Sequence, residues 1–426
     1  MIKTFRDAWK IPEIRRKLLF TLLMLVLYRF GSHIPVPFMD GAEIKKFFEA
    51  QQGGILSFLD LMSGGNFSSF SIFAANIYPY ITASIVLQLL TIAIPSLEAL
   101  SKEGETGRKK IAQYTRYLAI ALAAVQAIGY TFGIFRRAVV TENMFQNIVI
   151  ILSVVAGTSF LVWIGEQITE KGIGNGISLI IFAGIVARFP MDIYSSVRLA
   201  AAGQVSWAWV VVFAILALAI VFLVVALNEG QRKIPVQYAK RVVGRKMYGG
   251  QSTHIPIKVL MSGVMPIIFA QTIMSIPSML VLFYKPDSNA GKFITKWFTP
   301  QGDIGIFIYS IFMILLIVFF TYFYTAIQFN TVEYSKNLQQ NGGFIPGIRA
   351  GKSTSDYLNR TVNRLVFPGG IALAFLSVLP TILTKITSLQ FSFGGTSLII
   401  VVGVILETTR VLEQQLLMRH YKGFLK

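Results

Sequence analysis

The run WAWVVVFAILALAIVFLVVAL, from Trp207 to Leu227, holds no charged or polar side chain, no proline and no glycine. As a helix rising about 1.5 Å per residue it reaches about 30 Å, the thickness of a bilayer's hydrocarbon core. Further apolar runs lie at Leu18–Ile34, Ile72–Ala93, Tyr117–Phe135, Ile148–Ile164, Gly176–Phe189, Ile257–Tyr284, Ile304–Ile327, Leu365–Leu383 and Thr396–Leu412. Composition agrees: 54% of the 426 residues are apolar and only 14% are charged, against about 25% charged in soluble domains. These patterns predict an all-α integral membrane protein with ten transmembrane helices. The fifth run has only fourteen residues, about 21 Å of helix, so it is expected inside the bundle rather than against lipid.

An even number of spans puts both termini on one side of the membrane. Of 39 Lys and Arg residues, 28 fall on the termini and even-numbered connections, 10 on the opposite side, and Arg29 lies within the first span. The positive-inside rule therefore makes the terminal segments, 1–17 and 413–426, cytoplasmic. Insertion and contact with anionic lipid headgroups account for most of that basic excess. Two connections exceed the need: Asn228–Pro256 and Gln328–Arg364 are long for links within a bundle, and long loops are usually functional. They are expected to form a docking platform. Arg15, Arg16 and Lys17 precede the first apolar run as in a signal peptide, but no small-residue cleavage pattern follows before Pro35, so that span is expected to be retained.

With no cysteine and three scattered histidines, His33, His254 and His420, the chain lacks the side chains for disulfides or a zinc cluster. Ion-coupled carriers carry paired charges at membrane depth, and here they are nearly missing. Arg29 can snorkel or bond backbone carbonyls, Glu166 and Glu407 lie near span ends, and Asn76, Gln88 and Gln271 are uncharged hydrogen-bonding groups. Gly172-Ile173-Gly174-Asn175-Gly176 lacks the preceding strand of a dinucleotide fingerprint and reads as a tight turn before a helix. Pro346-Gly347-Ile348-Arg349-Ala350-Gly351-Lys352-Ser353 ends like a phosphate-binding loop, but proline stands where the first glycine is needed. No cofactor and no enzymatic activity are expected. A short apolar stretch, Ile55 to Met62, is bracketed by Gly53-Gly54 and Gly64-Gly65. It is too short to span, and by span physics alone an interfacial helix and a segment folded back into a protein-lined cavity are equally expected. A small-solute transporter would share the span count and the broken segment, but should carry substrate-liganding groups near mid-membrane.

Five longer motifs identify a family: Arg29-Phe30-Gly31-Ser32-His33-Ile34-Pro35-Val36-Pro37, Pro79-Tyr80-Ile81-Thr82-Ala83-Ser84-Ile85, Gly165-Glu166-Gln167-Ile168-Thr169-Glu170-Lys171-Gly172-Ile173-Gly174-Asn175-Gly176-Ile177-Ser178, Gln251-Ser252-Thr253-His254-Ile255-Pro256 and Gly343-Phe344-Ile345-Pro346-Gly347-Ile348-Arg349. Together, in this order over essentially the whole chain, they closely resemble the bacterial SecY family, channel subunits of the general protein-secretion translocon. Ala350 departs from the pattern, where the family commonly has proline.

The resemblance implies two pseudo-symmetric five-helix halves, 18–205 and 206–412, around a central pore that passes unfolded polypeptide across the bacterial plasma membrane or sideways into lipid. It implies a mobile plug at residues 55–65, comprising Ile55, Leu56, Phe58, Leu59, Asp60, Leu61, Met62, Gly64 and Gly65. An apolar pore ring matches Ile77, Ile81, Ile181, Ile268 and Ile400; branched apolar side chains can exclude water and ions by dewetting without holding a passing peptide. Ile77 and Ile81 are four apart and share a helix face. The family opens between its second and seventh spans, which carry Gln88 and Gln271, so these are expected either to line the lateral gate or simply to pack between helices. The cytoplasmic loops, 228–256 and 328–364, are implied to dock the SecA motor or the ribosome through Arg349 and the basic group Lys240, Arg241, Arg245 and Lys246. Arginine's planar fork suits carboxylates and phosphates alike. SecE and SecG subunits, signal sequences and unfolded preproteins are the other expected partners.

Overall fold

The computed structural model describes residues 2–50, 60, 63–140, 143–203, 206–238, 241–243, 246–248, 252–283, 293, 296–297, 305–387 and 395–423. Among them the chain is mostly helical: α1 Ile2–Lys10, α2 Pro12–Gly31, α3 Gly41–Ala50, α4 Tyr78–Ala93, α5 Pro95–Lys102, α6 Glu105–Gly129, α7 Met144–Lys171, α8 Gly176–Ala201 and α9 Trp207–Glu229. There follow β1 Gln231–Tyr238, β2 Arg241–Val243, β3 Lys246–Tyr248, β4 Ser252–Lys258, α10 Met265–Phe283, α11 Gly305–Gln328, α12 Thr331–Gln340, β5 Gly343–Phe344, α13 Lys352–Thr387 and α14 Gly395–Gly423. Each expected span overlaps one of these helices, and six helical stretches among the described residues are long and apolar enough to cross a membrane. In α9 only 17% of the apolar window is buried. An apolar helix exposed on most sides, with Ile215, Leu218 and Phe222 pointing outward, is solvated by lipid rather than water.

Several helices run past the expected span ends, α6 from Glu105, α13 from Lys352 and α14 to Gly423 among them, and three further boundaries differ for local reasons. The second was expected from Ile72, but residues 72–77 form turns and α4 begins at Tyr78. Pro79 has no N–H to donate, so it belongs in a first turn and not in a helix interior, and Asn76 sits at φ +50°, a region asparagine tolerates. The helix then breaks at extended Ile94 and bends by 102° into α5, which opens on Pro95. The seventh was expected from Ile257, which lies instead in β4, with α10 starting at Met265. The fifth, expected to stop at Phe189, runs 26 residues to Ala201 with Pro190 inside it. A hydropathy window ends where Arg188, Pro190 and Asp192 interrupt the apolar run; the helix continues because Arg188 finds a buried partner and the turns beyond are largely exposed.

The tight turn expected before α8 is present. Gly174 adopts φ +83°, and the Asn175 side chain accepts hydrogen bonds from the backbone N–H of Ile177 at 3.1 Å and Ser178 at 3.3 Å, satisfying two donors that a helix start leaves free.

The main core gathers side chains from α2, α4, α7, α8, α9, α10, α11, α13 and α14. A second cluster packs Phe67, Phe70, Tyr130 and Phe135 beside α3. No strands were expected, yet the two long connections form a small sheet in the order β4-β1-β5. β1 runs antiparallel to β4, with Ile234 opposite Ile255, and antiparallel to β5, with Gln237 opposite Phe344. Its inner face buries Ile234, Val236 and Ile257 against Leu338, Ile345, Leu358 and Val362.

Candidate functional site

Four of the five expected ring residues meet. Ile77, at the start of α4, Ile81 one turn later, Ile181 from α8 and Ile268 from α10 line one cavity together with Gln271 and Thr272. All four isoleucines are buried. The space measures about 10 Å³, at the threshold for admitting one water. Asn76 and Tyr78 complete its lining. Ile400 on α14 is also fully buried, in the same core cluster, but does not line this cavity.

The glycine-bracketed stretch is described only at Asp60 and from Ser63 onward; Ile55, Leu56, Phe58, Leu59, Leu61 and Met62 lie outside the described residues. Asp60 is buried at 3% exposure. One of its carboxylate oxygens pairs with the Arg188 guanidinium of α8, and the other accepts the Ser68 backbone N–H at 2.7 Å. From α2, the Tyr28 hydroxyl donates to the Ser63 carbonyl at 3.2 Å, and Arg29 Nη1 donates to the Gly64 carbonyl at 3.3 Å. Of the two expectations for Arg29, bonding to backbone carbonyls is the one realised. Gly64 sits at φ +71°, where a Cβ would lie 2.8 Å from the Gly184 backbone. Described residues of this segment are thus folded in among α2 and α8 and do not lie on the surface.

Arg188, at the end of the fifth apolar run, is not among the expected site residues. The signal was present: Arg188 follows Ile181 by seven residues, two turns along the same helix face. Tyr28 gave no signal, because a tyrosine near a span end is ordinary interface chemistry.

Gln88 and Gln271 do not bond one another. Gln88 Oε1 accepts the Tyr324 hydroxyl at 2.5 Å, and Gln271 Nε2 donates to the Tyr309 hydroxyl at 3.2 Å. Both tyrosines belong to α11, which carried no expected site residue. The walls α4 and α10 face each other across the isoleucine cavity.

On the face formed by the sheet, Arg349 is exposed. Its loop is held from both sides: Thr354 donates to the Arg349 carbonyl at 2.9 Å, Ser335 donates to the Gly351 carbonyl at 2.5 Å, and Gly347 and Gly351 take φ +80° and +93°. Arg241 and Lys246 lie in the β2–β3 hairpin, whereas Lys240 and Arg245 lie outside the described residues. Nearby, Arg410 bonds the Asn228 carbonyl at 2.5 Å and pairs with Glu229 at 2.9 Å. Burial, then the Arg410 charge, pulls Lys258 below the usual lysine range, with Glu229 opposing. Among the described residues no group of three or more His, Cys, Asp or Glu side chains is arranged to hold a metal.

Comparison with known proteins places this geometry. Residues 71–409 match the family model described as SecY. The chain is 42% identical over 443 aligned residues to the protein translocase subunit SecY of Streptomyces galbus, covering 100% of both chains. It is 44% identical over 434 residues to that of Thermus thermophilus, covering 100% of this chain and 98% of the relative. In fold it is similar to a solved protein-conducting channel, with TM-score 0.63, 21% identity and 96% of each chain covered. Sec61 in the canine ribosome-channel complex is similar at TM-score 0.58 and 19% identity, again over 96% of each chain.

Proposed function

This chain belongs to the SecY family and is a multi-pass membrane channel for protein; we propose that Ile77, Ile81, Ile181, Ile268 and Ile400 form the ring sealing its pore. The meeting of four of them, from three helices, around a space for one water at most carries this reading. An unfolded chain in transit would replace the isoleucine-isoleucine contacts with contacts to itself, so the pore stays closed to ions around it. Side chains without polar atoms add no bond that the moving chain must break at each residue.

In this reading 18–205 and 206–412 are the halves that part around the pore. The segment 55–65 plugs it, and Asp60, Gly64 and Gly65 seat the plug's carboxyl end. A strongly apolar segment leaves sideways between α4 and α10. The platform of the two long connections is cytoplasmic, as are both termini, and the membrane is the bacterial plasma membrane. No nucleotide-binding loop accompanies the channel in the sequence, so the driving force is supplied by a partner docked at Arg349 and the Lys240, Arg241, Arg245 and Lys246 group: the SecA ATPase or a translating ribosome. A fold shared with a ribosome-bound channel supports the second partner. SecE and SecG complete the assembly, and anionic lipids meet the basic face.

The test exploits the cysteine-free sequence. Cysteines placed singly at Ile81 and Ile268, in vesicles containing the full complex and a stalled secretory precursor, should both crosslink to the precursor's mature part. Vesicles that refuse every precursor while steadily exchanging a metabolite would overturn the reading.

A further inference from the structure

We infer that Tyr324 is the clasp of the lateral gate and sets how apolar a signal segment must be to open it; the inference rests on the channel reading above. Tyr324 touches both walls of the seam. Its hydroxyl donates at 2.5 Å to Gln88 on α4, and its ring meets Phe269 of α10 edge-on, with centroids 5.0 Å apart and planes at 61°. The ring of Phe320, one turn earlier on α11, also meets Phe269, at 5.7 Å and 89°. The two walls are therefore held very differently. α10 is joined to α11 by two aromatic contacts and by the Gln271–Tyr309 bond. α4 is joined to the same tyrosine by one directional bond.

When the seam parts, α10 and α11 can move as one body with their aromatic contacts intact. The Tyr324–Gln88 bond has to break. Tyr324 is buried, so its hydroxyl, left without a partner as the seam opens toward lipid, is costly. The entering segment must offset that loss through its own transfer into hydrocarbon, so a strongly apolar segment opens the seam and a weak one does not. One Gln88 N–H is engaged locally, with Ser84 at 3.4 Å on the same helix, and the bond that joins Gln88 to α11 is the one it accepts from the Tyr324 hydroxyl.

The experiment measures export into vesicles of two precursors, one with an intact and one with a weakened signal, and reads the ratio of weak to strong. Tyr324→Phe keeps the ring on Phe269 and removes only the hydroxyl. The ratio should rise about fivefold, which corresponds to about 1 kcal/mol, a typical net hydrogen bond. Gln88→Leu should raise it similarly, and the double variant should rise no further, because both substitutions remove the same bond. An unchanged ratio in Tyr324→Phe, or effects that multiply in the double variant, would overturn the clasp while leaving the channel reading intact. Failure of the unsubstituted protein to export either precursor would instead overturn the channel reading.

Discussion

Arg188 and Asp60 show how much a single side chain decides at membrane depth. A carboxylate at 3% exposure needs a compensating charge or bonds, and Asp60 has an arginine on one oxygen and a backbone N–H on the other. Replacing Arg188 with alanine strands the carboxylate, which should loosen the Ser63–Gly65 turn. In planar bilayers the Arg188→Ala channel should conduct ions at rest more often than the parent, and an equal resting conductance would show that the pair does not seat the plug. Gly64 is constrained more simply. Alanine there would adopt φ +71° with its Cβ 2.8 Å from the Gly184 backbone, and the left-handed conformation alone costs about 1–2 kcal/mol. Gly64→Ala should therefore lower the thermal midpoint of the purified protein in detergent, whereas Gly65→Ala, which meets nothing within 4 Å, should lower it less.

Among the elements, α8 was misjudged in length and correctly placed by its start. Hydropathy counts each residue as if its surroundings were lipid, so Arg188 and Pro190 ended the expected helix at Phe189. In the fold Arg188 points at Asp60, and the helix runs on to Ala201. The start was legible because its cause is local: a glycine at positive φ and an asparagine cap act within four residues. Asn175→Ala removes the acceptor for two N–H groups and should cost about 1 kcal/mol, seen as a lower unfolding midpoint; Asn175→Asp should retain most of it. α11 illustrates the opposite limit. Tyr309 and Tyr324 lie in a largely apolar run that also holds Tyr322, where nothing in spacing distinguishes a residue that bridges the walls from one that faces lipid.

At the scale of the molecule, two connections far apart in the chain become one platform. β1 from the first pairs with β5 from the second, and Ile234, Val236 and Ile345 of the two connections bury apolar side chains with those of α12 and α13. That shared core makes the exposed Arg349 a fixed feature of a rigid surface rather than the tip of a loose loop. Arg349→Glu should leave the protein folded and inserted but stop motor-driven export; normal export by that variant in reconstituted vesicles would remove the docking role. Docking through such a basic face should also weaken as salt rises, since exposed charges are screened within about 10 Å at 0.1 M.

That the chain is an all-helical, multi-span membrane protein of this family was legible in the sequence alone, as was the uneven spread of its basic residues along the chain. Hydrophobic length, charge bias and contiguous motifs are properties of neighbouring residues. Only the tertiary structure decided which side chains meet across the bundle: that Ile77, Ile81, Ile181 and Ile268 line one cavity while Ile400 is buried in the same core outside it, that Arg188 reaches Asp60 across 128 positions, and that Tyr324 reaches Gln88 across 236. Such contacts depend on how helices rotate and cross, and that is set by packing many side chains at once rather than by any local pattern.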